Sequence, residues 1–127
     1  MATRRAGRLR DDRGAVAVEF ALVLIPLLLV VFGIIDFGRA YNAQQTVTQA
    51  ARVGARLATL GKDGTTVKNA VVGAATALDV KSSDVSVSGD CSGSDVSETV
   101  KVHYHFAYLT PLFSHTITIT GRATAPC

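Results

Sequence analysis

Apolar residues fill positions 15–35 almost without a break, "AVAVEFALVLIPLLLVVFGII", and only Glu19 among them carries a charge. Apolarity on every side of a helix leaves no solvated face. Twenty-one residues at about 1.5 Å each give about 31 Å, the thickness of a bilayer's hydrocarbon core. The pattern predicts a membrane-spanning helix. Pro26 falls inside it, removes one backbone donor and predicts a kink. The following stretch, "DFGRAYNAQQTVTQAARVGARLATL" (36–60), keeps a helical period in Ala40, Ala43, Val47, Ala50 or Ala51, Gly54 and Leu57 or Ala58. From Ala15 to Leu60 one unbroken helix would be about 69 Å long. Asp36 and Arg39 are spaced to pair at i,i+3 where the chain leaves the membrane. Ala50, Gly54 and Ala58 place small residues on one helix face, where another backbone can approach closely. Arg52 and Arg56 share a different face, and Gly61 suits the helix end.

Beyond Gly61 the elements shorten. "KDGTTV" (62–67) is a turn, and Thr65 or Thr66 is positioned to cap a second helix over about 66–78. Its inward residues would be Val67, Ala70, Val71, Ala74, Ala75 and Leu78. The period then changes to two. "DVSVSG" (84–89), "ETVKVHYHFAYL" (98–109) and "HTITITGRAT" (115–124) alternate apolar and polar residues, as half-buried strands do. In the middle one Val100, Val102, Tyr104, Phe106 and Tyr108 oppose Thr99, Lys101, His103, His105 and Ala107. "SGDCSGSD" (88–95) is a loop and "LTPLFS" (109–114) a turn. The fold class is therefore α+β. A long N-terminal transmembrane helix continues into a small soluble domain with a second helix and a short antiparallel sheet. The sheet's apolar face needs cover, which the two helices can supply.

Charge gives this plan an orientation. Residues 1–14 hold five arginines against Asp11 and Asp12, which accounts for the whole net charge of +3, and the remainder of the 127 residues balances. No basic face of a folded domain is visible, so the composition gives no nucleic-acid partner. An arginine excess before the span places the N-terminus inside and the C-terminal domain outside. Three regions result: a cytoplasmic leader (1–14), the span (15–35) and an extracytoplasmic domain (36–127). A secretory signal peptide fits less well, because the apolar run exceeds the usual ~7–15 residues and no small-x-small site follows. Cys91 and Cys127 lack the clustered ligands of a zinc site. Outside the cytoplasm they are expected to form a disulfide, worth roughly 3–4 kcal/mol by loop entropy; the competing expectation is that the terminal Cys127 frays and stays free.

Glu19 is the residue that this plan leaves unexplained. One turn inside the membrane edge, it can snorkel to the interface without a function. An acid in a membrane segment also asks for a named partner. Cutting the chain between Gly14 and Ala15 would create one, the new α-ammonium of Ala15, one helical turn away on the same chain or on a neighbour. An arginine-rich leader, a terminal glycine and a glutamate at the fifth following place suit a peptidase working at the cytoplasmic membrane face.

The stretch "RGAVAVEFALVLIPLLLVVFGIIDFGRA" (13–40), above all "VEFAL…P…FG…DFGRA", resembles the start of the TadE-like pilins of the tight-adherence system, and "AARVGARLA" (50–58) looks familial too. These belong to the wider class of type IV pilin-like proteins. The resemblance implies a minor pilin, or pseudopilin, of a bacterial pilus or secretion system, held in the inner membrane by one span. It implies cleavage after Gly14 by a prepilin peptidase, Ala15 as the mature N-terminus, and Glu19 as the acid that sets register between subunits. The implied partners are the membrane, the prepilin peptidase, other pilin subunits and the assembly machinery.

Enzymatic readings find little support. His103 and His105 share a strand face and His115 opens the next strand, but no acid or cysteine completes a metal set. No serine sits in a nucleophile elbow. "GKDGTT" fails phosphate-loop spacing. No metal, cofactor, catalytic residue or small-molecule substrate is expected. The rival reading is an uncleaved, N-terminally anchored domain that binds a partner outside the membrane.

Overall fold

The computed structural model describes residues 8–89, 91, 97–110 and 115–127. The first half of the expected leader and most of both the 88–95 loop and the 109–114 turn lie outside the described residues. Helix α1 spans Arg8–Thr59, 52 residues and about 78 Å. It runs without interruption through Pro26, and it begins before Gly14 rather than after it. From Gly14 to Ile35 nearly every residue is exposed; only Leu24 is half-covered. This is the one described helix long and apolar enough to cross a membrane, and none of its most apolar stretch is buried by the rest of the chain.

The helix ends as the glycine position requires. Gly61 adopts φ +70°, a conformation that costs other residues a steric clash. Its N–H donates to the Ala58 carbonyl (2.9 Å) and the Lys62 N–H reaches back to Leu57 (3.3 Å), which satisfies two of the helix's orphan acceptors. Helix α2 follows at Gly64–Ala74. Its cap is Asp63, not Thr65 or Thr66: the carboxylate accepts from the Thr66 N–H (3.0 Å) and hydroxyl (2.6 Å). The helix stops at Ala74, short of the expected Leu78. The Ala75 N–H divides between the Val71 and Val72 carbonyls, and the irregular turn that follows carries Val80 into the core.

Three strands form an antiparallel meander, β1 (Val85–Ser88), β2 (Ser97–Ala107) and β3 (Thr116–Pro126), in that spatial order. Val85 faces Val102 and Val87 faces Val100; Val102 faces Gly121 and Phe106 faces Ile117. The period-two pattern thus gives one buried face, with Val85, Val100, Val102, Phe106 and Ile119. Ala43, Val47, Ala50, Ala51, Ala55 and Ala58 of α1 and Val67 and Val71 of α2 close over it. This is an α+β arrangement in which one helix is both the exposed apolar rod and half of the core. The sheet has a direction relative to that rod. Gly54 lies against Val100, Val47 against Gly121, and Asp36 against Leu109 and Thr110. The end of β2 and the start of β3 therefore sit beside the apolar half of α1.

Candidate functional site

Two places on α1 carry the features that matter. The first is its apolar half. Gly14, Ala15 and Glu19 are all exposed and lie on one continuous helix, with Glu19 about one turn beyond Ala15. A Cβ at Gly14 would meet nothing within 4 Å. Nothing else in the described chain approaches Glu19 or Pro26, so this half offers an uncovered apolar surface interrupted by one acid.

The second is the point where α1 enters the domain. Asp36 follows the apolar run directly and is only 3% exposed. Its two oxygens accept the backbone N–H groups of Leu109 and Thr110, both at 3.0 Å, and one also accepts the Thr110 hydroxyl. Arg39 stands 3.6 Å away, so the expected i,i+3 pair is present. Arg39 also lies over the Phe106 ring, 5.3 Å from its centre, within cation–π range. The Thr110 hydroxyl first, then the Leu109 N–H, hold the Asp36 carboxyl below its ordinary pKa of 3.8; burial pushes the other way and loses. A carboxylate with its acceptor sites occupied is a structural clamp. It ties the exit of the helix to a strand end more than seventy residues later. The sequence reading paired Asp36 with Arg39 and missed this role. The available signal was a carboxylate at the edge of an apolar run, where one half-exposed arginine does not saturate two oxygens.

The small residues of α1 are occupied within the chain. Ala50, Gly54 and Ala58 are all buried, and a Cβ on Gly54 would come 2.5 Å from a Val71 methyl and 3.1 Å from Val100. The backbone of β3 approaches α1 closely: a Cβ at Gly121 would lie 2.4 Å from the Val47 carbonyl oxygen. Gln44 adds a bond from its amide to the Thr120 carbonyl, 3.2 Å.

The far end of the sheet is closed by a disulfide between Cys91 and Cys127, Cα atoms 5.6 Å apart. His103 and His105 lie on the polar sheet face beside Thr120 and Thr118, each ring nitrogen 3.3 Å from the cross-strand hydroxyl. Among the described residues no three His, Cys, Asp or Glu side chains gather as a metal site.

A protein-family model described as TadE-like protein matches residues 14–56, about a third of the chain. The match begins at the glycine before the apolar run and ends within the buried part of α1, so it covers the uncovered rod, Glu19, Pro26 and Asp36. No curated protein and no solved structure matches the chain.

Proposed function

We propose that this chain, TadE-like over residues 14–56, is a minor pilin or pseudopilin of a bacterial tight-adherence pilus or secretion system, a structural and assembly subunit and not an enzyme. Residues 15–35 anchor it in the inner membrane with the N-terminus inside and residues 36–127 outside. A prepilin peptidase removes residues 1–14 by cutting after Gly14. The observation that carries the reading is a coincidence with the sequence: the family match starts at Gly14, where the arginine-rich stretch gives way to the apolar run that stays uncovered as far as Ile35.

The physics of such a subunit follows from that rod. In the bilayer its apolar surface is covered by lipid. Drawn out of the bilayer, the same surface must be buried against other helices, and this drives packing with neighbouring subunits. Glu19 would be a charge in that packed interior, unfavourable unless paired. The α-ammonium of Ala15 on a neighbour supplies the pair and so sets axial register. Because Ala50, Gly54 and Ala58 are already buried in their own domain, subunit packing falls to the exposed residues before Asp36. Cleavage itself requires local unwinding, since the Gly14–Ala15 bond lies inside α1; a glycine is where a helix opens at least cost.

The same helical continuity favours a second reading, an uncleaved anchored domain that binds a partner outside the membrane. The intact mass of the protein from its native membranes separates the two. A mass beginning at Ala15 supports the pilin; a mass that retains residues 1–14 overturns it and leaves the anchored domain.

A further inference from the structure

The clamp at Asp36 fixes more than the domain's attachment. Leu109 and Thr110 are hydrogen-bonded to the residue that immediately follows the apolar run. Their depth relative to that run is therefore set, and they cannot withdraw from it without unpairing a buried carboxylate. With residues 15–35 as a membrane span, the reading on which this inference rests, the hydrocarbon edge falls at Ile35. The interfacial layer extends about 5–7 Å further, which is roughly four residues of helix. Exposed apolar or aromatic side chains stand at that level: Phe37 is 74% exposed, Leu109 61% and Ile117 37%. Between α1 and the sheet end lies an open, mainly apolar groove of about 430 Å³, lined chiefly by Gly33, Phe37, Ala40, Tyr108 and Ile117, with Asp36 and His115 among its polar residues. The half-exposed guanidinium of Arg39 pairs with Asp36, one of the groove's lining residues.

We infer that this end of the sheet is a second membrane contact: the groove and its rim of Phe37, Leu109 and Ile117 are seated in the interfacial layer of a phospholipid bilayer, with Arg39 facing lipid phosphate. Aromatic residues and arginine gather at this depth because one end of each is apolar and the other polar. Lipid is the occupant because the groove is continuous with the span. Gly33 lies within the run and Phe37 just past it, so the membrane-inserted protein carries the groove to lipid before any partner arrives. The domain then rests against the bilayer surface at one end, while its disulfide end stands away from it.

The chain contains no tryptophan, so single probes can be placed cleanly. Leu109→Trp and Ile117→Trp report on the rim, Val23→Trp on the span and Leu60→Trp on the distal side; all four positions are exposed. The full chain is reconstituted in vesicles of phosphatidylethanolamine and phosphatidylglycerol whose acyl chains are brominated near the glycerol or near the terminal methyl. Circular dichroism and absence of free thiols check that each variant is folded. Both rim probes are expected to emit blue-shifted and to be quenched more by bromine near the glycerol, with Val23→Trp quenched by the deeper bromine and Leu60→Trp by neither. Water-like, unquenched emission from both rim probes beside a quenched Val23→Trp overturns the inference and leaves the span intact. Blue-shifted but unquenched rim probes also overturn it, with another protein molecule in the groove. An unquenched Val23→Trp removes the span itself, and the inference with it.

Discussion

Asp36 holds together two segments that the chain separates by more than seventy residues, and its behaviour is open to direct test. Replacement by Asn keeps the shape, but it turns one acceptor oxygen into a donor that faces a backbone N–H. The Asp36→Asn variant is expected to unfold at a lower temperature at neutral pH. The sign of the pH dependence follows from the lowered pKa. The folded state holds the proton more weakly than the unfolded chain, so the carboxylate's contribution is fully present above the ordinary value near 3.8. It is lost as pH falls through the lower, folded value. The gap in melting temperature between wild type and variant should therefore be widest at neutral pH and close in strong acid. A gap that is constant across pH would mean that the charge does not matter. Asp63, whose carboxyl is lowered by the Thr66 hydroxyl and N–H, titrates in the same direction and adds to the wild type's acid lability.

At the scale of elements, the contact of α1 with the sheet depends on missing side chains. Gly54→Ala would gain about 1 kcal/mol of helix propensity. Its methyl would meet Val71 and Val100, which are β-branched and stiff, and overpacking costs about 1–3 kcal/mol. A net destabilisation of about 1 kcal/mol is expected from denaturant unfolding. Gly121→Ala should cost more, about 3 kcal/mol, because the obstacle is the Val47 backbone, which cannot rotate aside. Equal stability of the two variants would contradict the close helix–strand approach. Much of this layer was legible in the chain. The three-to-four spacing of Ala43, Val47, Ala50 and Gly54 and the alternation of Val100, Val102 and Phe106 follow from how helices and strands expose faces. The ends were less legible. Asp63 outcompeted Thr65 and Thr66 as a cap through local hydrogen bonds, and α2 ends before Val80 enters the core; period alone encodes neither. That α1 covers the sheet was expected, but which backbone meets its small residues was not legible, since spacing shows that a face can be approached closely, not by what. The clamp on Leu109 and Thr110 was invisible for a related reason, as no local pattern links residues so far apart.

The whole molecule is held at its two ends by different chemistry, the Asp36 clamp beside the apolar rod and the Cys91–Cys127 bridge at the far end. The bridge ties the end of β3 to the loop between β1 and β2, with a sequence separation of 36. Loop entropy puts its contribution at roughly 3–4 kcal/mol. A Cys91→Ser, Cys127→Ser double variant should lose about that much stability in denaturant unfolding. Reductant should bring the wild type to the same level and leave the variant unchanged. A full-strength bridge also implies that neither thiol reacts with an alkylating reagent before reduction.

The continuity of α1 also has a mechanical side. Its apolar rod and its buried half are one element, so no compliant tether separates the rod from the domain. A pull along the helix axis loads the Asp36 clamp, the Gly121–Val47 contact and the alanine–valine layer together, in shear rather than one after another. On the pilin reading proposed above, the subunit would move as a stiff lever, and a force that draws its helix from lipid would reach the domain almost without slack.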